Sequence, residues 1–545
     1  MKPKVVIIGG GIVGAAIAKW LSKYDLEIIL LEKTIDIGLG GSTKANTALI
    51  HAGEHNTPGS LMAKLCVRGN SMWYELAPML GVPLRRVGCL VVALKDEEVK
   101  ILRELEAQGK ENGVPGLQMI EDREVLMKLE PNLNPKAVAA LYAPSVGITS
   151  PVEMAMALAE NAAGNGAKIL LQTEVVNIRL RGTRVEGVET NRGYIQADYV
   201  INAAGLYADE ISAKVGIDHF KITPRKAEYL VFDKDLGGLV NHVLFPIPTP
   251  LSKGIKVVPT VDGNLLAGPT ARDIEDKTDI ATTTAGLKEA LEGALKLVPG
   301  LSSHLDKIIT NYSGLRAVPS TGDFVIEAYD EVEGFINVAG IDSPGLTAAP
   351  AIAELVVELL RERGLDLREK SEYREGHQPI KRFAREFSAE KARELISQNP
   401  AYGHLICRCE HVTEGEILEA IRRGATTLDG IKFRTRAGMG RCQGGYCTPR
   451  IIKILSRELG VPAEKLTKRG GDSRLLSCEV KGGRGSRWKL TCSLSVGGRP
   501  DWRRRSKLGR RGWKGFSSSS VQKNSGEFYP SVYTRVSDST ISGRT

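Results

Sequence analysis

The chain has no run of about eighteen consecutive apolar residues, so none of it reads as a membrane-spanning helix. Its start, Met1-Lys2-Pro3-Lys4 before an apolar stretch, imitates a secretory leader, but no small-residue cleavage site and mature start follow, and glycines interrupt the stretch. The protein is therefore expected in the cytoplasm. Charge of one sign is also missing from most of the chain. Of the net +10, residues 471–545 hold sixteen Lys and Arg against five Asp and Glu, which leaves the rest nearly neutral and without the electrostatic footprint of a nucleic-acid binder. Cysteine is scarce and uneven: Cys66 and Cys89 stand alone and read as buried thiols, Cys478 and Cys492 lie in the basic tail, and Cys407, Cys409, Cys442 and Cys447 form a cluster. In a cytosolic chain such a cluster points to metal rather than to disulfides. At 545 residues there is room for two or three domains.

What is present is organised around residues 5–14, Val5-Val6-Ile7-Ile8-Gly9-Gly10-Gly11-Ile12-Val13-Gly14. The apolar run reads as a buried parallel strand, and Gly9-x-Gly11-x-x-Gly14 opens an alanine-rich helical pattern. Gly9 permits the tight turn, Gly11 admits a pyrophosphate, and Gly14 lets the helix lie close to the strand, with the helix N-terminus supplying amides and a positive dipole end. A second strand, Glu27 to Leu31, ends in Glu32, where a carboxylate suits a ribose hydroxyl. The Gly38–Gly53 stretch is rich in glycine and hydroxyl residues. It suits a loop folded over a cofactor, with Ser42, Thr43 and Asn46 as hydrogen-bonding groups.

The order of fingerprint, Glu32, Ser/Thr/Asn loop and Ile50-His51-Ala52-Gly53 resembles the flavin-dependent oxidoreductases of the D-amino-acid oxidase (DAO) superfamily. Residues 51–66, 245–255 and 262–271 are similar to its glycerol-3-phosphate and L-2-hydroxyglutarate oxidase group. The resemblance implies an α/β FAD-binding Rossmann-type domain with an interleaved α+β substrate domain over residues 1–365. FAD-binding parts are expected at about 1–80, 150–220 and 311–365, and substrate-binding parts at about 81–149 and 221–310. It further implies FAD as the dinucleotide, Val175 at the adenine end, and Ala204 and Gly205 near the pyrophosphate. Gly340, Gly345, Leu346 and Thr347 then belong to the last flavin segment, whose helix N-terminus suits the flavin pyrimidine. Arg225 stands in a stretch that departs from the relatives, which commonly have glycine where this chain has Ala227.

Residues 366–400 read as a charged linker with one helix, and a small helical module follows at 401–470. Cys407-Arg408-Cys409 and, further on, Cys442 and Cys447 supply four thiolates, which suit either a structural zinc or an iron–sulfur cluster. Cys-x-Cys is an unusual zinc half-site, and the Lys432–Gly440 stretch resembles the 2Fe-2S domain of the bacterioferritin-associated ferredoxin (BFD) type. That resemblance implies a 2Fe-2S cluster on the four cysteines. Residues 471–545, with Arg503-Arg504-Arg505 and Ser517 to Ser520, have little hydrophobic periodicity and are expected to be disordered. A basic arm for nucleic acid or a membrane surface is the functional alternative for this tail.

For the chemistry, His51 is the expected base, because imidazole titrates near neutral pH and the family places the matching histidine beside the flavin. The resemblance puts Arg316 and Lys253 on an anionic end of the substrate, where a guanidinium fork suits phosphate or carboxylate. Ser343 either donates to the same anion or caps the following turn. The implied activity is a dehydrogenase of sn-glycerol 3-phosphate that passes electrons through the cluster to an acceptor protein or second flavoprotein subunit. The alternatives are a 2-hydroxy acid such as L-2-hydroxyglutarate, or a non-catalytic electron-transfer subunit. Peripheral association with the inner membrane face is compatible with this reading.

Overall fold

The computed structural model describes residues 2–249, 252–383 and 388–477. A six-stranded sheet runs in the order Val325–Ala328, Phe335–Ala339, Tyr199–Asn202, Lys4–Ile8, Glu27–Leu31, Lys168–Leu170, parallel except at its first pair. The continuous apolar run of the first strand follows from burial on both faces. Val5 and Ile7 enter a core shared with the helices Ile12–Leu21, Pro151–Gly164 and Gly345–Glu362. Val6 and Ile8 enter a core on the opposite face, capped by the three-stranded sheet Val175–Arg181, Arg184–Thr190, Gly193–Gln196. The helix Leu61–Leu80 lies against Gly345–Glu362 at Gly69, where a Cβ would stand 2.1 Å from the Thr347 carbonyl.

The second body is a nine-stranded sheet built from residues 89–143 and 222–319. Its longest strands, Ile222–Phe232 and Ile308–Pro319, pair antiparallel, with Arg225 opposite Arg316, Ala227 opposite Gly314 and Tyr229 opposite Tyr312. Directly opposed residues share a face, so these six positions form one wall. The Gly38–Gly53 loop presses on that wall. A Cβ on Gly314 would meet the Ala45 carbonyl at 2.1 Å, and the Ser42 hydroxyl donates to the Leu315 carbonyl at 2.6 Å.

Residues 366–383 run as a strap across the first body rather than as a loose connection. The Asn161 amide donates to the carbonyls of Arg374, Glu375 and Gly376, and Glu369 bridges to Tyr24. The helix Ala389–Gln398 leads to a module of three helices, Glu414–Arg422, Leu428–Thr435 and Thr448–Leu459, around its own small core. The first of these opens on a capping box between Thr413 and Glu416. The start of the basic tail folds back, with Arg474 bridging to Thr467 and the Lys468 amide donating to the Ser473 carbonyl at 2.7 Å. The expectation of disorder for the remainder, from residue 478, falls outside the described residues. Among the described residues no helix is long and apolar enough to cross a membrane.

Candidate active site and electron-transfer centre

A cavity of about 720 Å³ runs from the glycine turn to the wall of the nine-stranded sheet. Gly9, Gly11, Glu32, Ser42, Thr43, Asn46, Val175, Ala204 and Gly205 line its first half; His51, Lys253, Arg316, Ser343, Gly345 and Leu346 line the second. Gly14, Gly340 and Thr347 stand behind the lining. A Cβ on Gly14 would meet the Gly9 carbonyl at 1.9 Å, so its part is to let the helix close on the turn. Gly340 has φ +65° and holds the turn in which the Asp342 amide donates to its carbonyl. The Thr347 hydroxyl accepts the His51 amide at 2.9 Å and thereby fixes the loop that carries the histidine.

The cradle fits a dinucleotide. Gly9 adopts φ +108°, and a Cβ there would meet the Ala203 carbonyl at 2.3 Å, whereas a Cβ on Gly11 would meet only the Thr43 hydroxyl, at 3.3 Å. The Glu32 carboxylate accepts the Gly10 amide at 2.7 Å and the Thr34 amide at 2.8 Å, which fixes it at the end of its strand with lone pairs remaining. Thr43 accepts the Ile12 amide at 3.0 Å and so caps the helix that follows the turn. Asn46 braces its own loop: its NH₂ donates to the Ser42 and Thr43 carbonyls, and its oxygen accepts the Ala48 amide. Its amide hydrogens are thus engaged within the loop. The helix Gly345–Glu362 has no side-chain cap, and its first turn opens on the cavity at Gly345 and Leu346.

At the far end the cavity is cationic. Lys253, Lys256 and Arg316 line it, and among the described residues none of the three has a carboxylate within salt-bridge distance. The Arg316 guanidinium donates to the Thr270 carbonyl at 3.2 Å, which leaves most of its fork unused. Lys256 is buried, with its ammonium 3.1 Å from the Gly254 carbonyl and 4.9 Å above the Phe245 ring. Burial, then repulsion by Arg316 and Lys253, holds Lys256 well below the ordinary lysine value; burial also lowers Lys253. Arg225, from the same wall, is engaged by Asp273 through two hydrogen bonds of 2.6 and 3.0 Å. Tyr229 and Tyr312 stack 4.6 Å apart between the two arginines and the Asn46 carbonyl, to which Tyr312 donates at 2.8 Å.

His51 is buried, edge-on to Phe245, and burial followed by the charge of Lys253 pushes it well below the usual histidine value. It is therefore a neutral imidazole at neutral pH. Behind it, the fully buried Glu54 pairs with His55 Nδ1 at 2.8 Å and accepts the Gly53 amide at 3.0 Å. Burial opposes the Glu54 charge, but His55 outweighs it and holds the carboxyl below its usual range. A carboxylate only accepts, so His55 donates from Nδ1. Asp342, also on the cavity, has a buried Oδ1 without a partner among the described residues, and Ser343 beside it makes no hydrogen bond there. Lys256, Asp342, Glu54 and the tyrosine pair were given no site role in the sequence reading. Of these, only Lys256 had a local signal, a charge opening the buried run Lys256–Pro259.

The four cysteines come together from three elements: Cys407 ends the strand Leu405–Cys407, Cys409 and Cys442 lie in turns, and Cys447 precedes the helix Thr448–Leu459. The Cys447 thiol donates a hydrogen bond to Cys407 and the Cys409 thiol donates one to Cys442, and backbone amides of Gly438 and Glu410 donate to Cys407. The bond from Cys447, with those amides, lowers Cys407 to about 6. Glycine is required at 440, where a Cβ would meet the Cys409 Cβ at 2.3 Å. Two thiolate pairs with amide donors fit a two-iron cluster, in which each iron takes two thiolates, better than a tetrahedral zinc.

The module sits on both bodies through paired charges. Arg434 and Asp36 make a buried bidentate pair, one bond of which is 2.8 Å, and Arg436 reaches Asp262, Asn264 and Glu410. Lys234 also meets Glu410 at 2.9 Å, and Arg441 pairs with Asp233 and Asp235.

A dinucleotide cradle continuous with a cation-lined chamber that holds a neutral histidine defines the class, a dinucleotide-dependent oxidoreductase of an anionic substrate. Residues 4–359 match the FAD dependent oxidoreductase (DAO) family, and the chain belongs to that family. Residues 405–457 match the BFD-like [2Fe-2S] binding domain. The chain is 46% identical to a glycerol 3-phosphate dehydrogenase of Caloramator mitchellensis over 481 residues, 88% of this chain and 98% of that protein. It is 32% identical to the human mitochondrial L-2-hydroxyglutarate dehydrogenase over 49% of this chain and 60% of that one. The solved structure of an L-α-glycerophosphate oxidase from Mycoplasma pneumoniae, with FAD bound, superposes with a TM-score of 0.64 at 33% identity, covering 69% of this chain and 98% of that one. FAD is thus the dinucleotide of the cradle, and the fold is that of the glycerophosphate oxidase with a 2Fe-2S domain appended.

Proposed function

We propose that the protein oxidises the secondary hydroxyl of sn-glycerol 3-phosphate to the ketone of dihydroxyacetone phosphate and sends the electrons out through the 2Fe-2S domain. The observation that carries this reading is the set of three cations, Lys253, Lys256 and Arg316, which have no carboxylate partner among the described residues and stand at the end of the cavity that also holds His51. A phosphate dianion supplies the missing countercharge and enough oxygens for several donors. The similarity to the Caloramator enzyme over nearly its whole length supports the same substrate.

In this reading Arg316 presents its unused N–H groups to the phosphate, oriented by the Thr270 carbonyl. Lys253 and Lys256 complete the anion site. His51, neutral and clamped through its backbone by Thr347, takes the hydroxyl proton, while Ser343 donates to the bound anion. When bound, FAD accepts the two electrons from the carbinol carbon. The uncapped N-terminus of Gly345–Glu362, with Leu346 and Thr347 in its first turn, favours the negative charge that accompanies reduction. Glu32 holds the ribose end, and Val175, Ala204 and Gly205 flank the adenine and pyrophosphate. Cys407, Cys409, Cys442 and Cys447 hold the cluster. A cluster that carries one electron at a time favours delivery to a separate acceptor protein over direct use of oxygen.

The test is steady-state kinetics with an artificial acceptor on glycerol 3-phosphate and on L-2-hydroxyglutarate, in the unaltered protein and in Lys253→Ala. The phosphate ester is expected to give the higher kcat/KM and to lose more of it in the variant. Preference for 2-hydroxyglutarate, with an equal effect of Lys253→Ala on both substrates, would move the assignment to a 2-hydroxy acid.

A further inference from the structure

We propose that the solvent edge of the 2Fe-2S domain is the docking surface for an acidic protein that accepts one electron at a time. The inference rests on the reading that electrons leave through this domain. Cys407 and Cys447 are buried, but Cys409 and Cys442 are only half-buried, so the centre approaches the surface on their side. Tyr446, within the loop that joins Cys442 to Cys447, is 81% exposed, and Leu405, two residues before Cys407, is 39% exposed. Among the described residues, the other large apolar side chains left this open all precede residue 306 and lie on the two larger bodies. A single exposed leucine needs no explanation, but an almost bare tyrosine inside a ligand loop is the type of side chain that anchors interfaces.

Among the described residues, the charges left without a partner around this anchor are of one sign, Glu414 and Glu458 being paired with Arg457. Arg408 stands between two of the ligands, and Arg450 and Lys453 share the exposed face of the helix Thr448–Leu459. Arg450 donates to the Leu405 carbonyl at 3.4 Å, which joins the apolar and cationic parts into one patch. Among the described residues none of these three cations has a carboxylate partner, whereas neighbouring Arg441 is held by Asp233 and Asp235, and Arg457 by Glu414. Glu410, two residues beyond Arg408, is buried and taken up by Lys234 and Arg436. Such a patch attracts and orients a partner whose redox group is rimmed by carboxylates. An anionic membrane is the weaker match, because lipid-binding basic clusters use roughly four to eight cations. Each docking event carries one electron from the chain to the partner, which is reduced by one. Two events balance the two electrons removed from one secondary alcohol, whose O–H proton and carbinol C–H hydrogen both end in solvent as protons.

The experiment uses the full chain loaded with FAD and iron, and follows binding by interferometry without substrate. The probes are a flavodoxin, as an acidic one-electron carrier, cytochrome c, as a basic one, and vesicles of phosphatidylglycerol in phosphatidylcholine. Arg450→Glu/Lys453→Glu is expected to weaken flavodoxin binding by about tenfold or more and to abolish its salt dependence. Tyr446→Ala is expected to weaken binding while the salt dependence stays. Iron content and substrate bleaching of the flavin should be unchanged in Arg450→Glu/Lys453→Glu. Absence of flavodoxin binding, equal affinity in all variants, tighter binding of cytochrome c, or charge-dependent binding of vesicles alone would each overturn the proposal. Failure of the glycerol 3-phosphate reading shows separately, as absent bleaching with binding intact.

Discussion

The cations of the substrate chamber and those of the module interface are similarly buried, yet they are arranged in opposite ways. At the interface Arg434 meets Asp36, Arg436 meets Asp262 and Glu410, and Arg423 meets Glu160 at 3.0 Å. In the chamber Lys253, Lys256 and Arg316 face one another with no such carboxylate among the described residues. A buried charge without a partner is costly, so its persistence marks a place where the partner arrives with a ligand. A buried pair, by contrast, fixes geometry. Arg225 shows that proximity alone does not decide: it lines the same cavity but is engaged by Asp273, and belongs with the structural set.

The comparison breaks most readily at Arg316. Arg316→Met should lower kcat/KM for glycerol 3-phosphate by about a thousandfold, or about 4 kcal/mol, with the folding transition nearly unmoved. Arg434→Met should do the reverse. It leaves Asp36 buried and unpaired at a cost of about 3–5 kcal/mol in stability, measured by denaturant unfolding, while turnover per folded molecule with an artificial acceptor is kept. An Asp36→Leu/Arg434→Met double variant should regain most of that loss. His51→Gln should reduce kcat by about 10²–10⁴ with little change in KM, as expected for loss of a proton acceptor rather than of an anion site. Normal turnover in this variant would remove His51 from the chemistry.

The smallest effects lie in pH. Because His51 is depressed, kcat/KM should stay flat as pH falls through the ordinary histidine range and drop only below it. Because Lys256 and Lys253 are also depressed, they lose charge as pH rises before ordinary lysines do, and KM for the phosphate ester should rise there. A bound dianion raises both, so binding at alkaline pH, where the two lysines have begun to lose charge in the free protein, should take up protons. Calorimetry in buffers of different ionisation heats reads that uptake directly; release of protons would contradict the anion site.

Much of the cradle was legible because its logic is local. Gly9, Gly11 and Gly14 act within one strand-turn-helix, and Glu32 ends the next strand. The cysteines were legible for the same reason, as two short segments of a small module. The chamber was only partly legible, because its wall is made by strand register: Arg225 meets Arg316 across 91 residues of sequence, and nothing near Tyr229 announces Tyr312. The pair of Asp36 with Arg434 spans 398 positions and has no sequence signature. Asn46 shows the converse limit. Its residue type suits a cofactor contact, but only the fold reveals that its NH₂ is engaged by its own loop.

The measurement that tests the central claim most directly is an anaerobic titration of the FAD- and iron-loaded protein with glycerol 3-phosphate, following flavin absorbance and the paramagnetic signal of the cluster. Bleaching of the flavin at stoichiometric substrate, with a reduced-cluster signal, in the unaltered protein but not in Arg316→Met, is the predicted result. No bleaching with glycerol 3-phosphate, or equal bleaching in Arg316→Met, would contradict the account of the unpaired cations as its anion site.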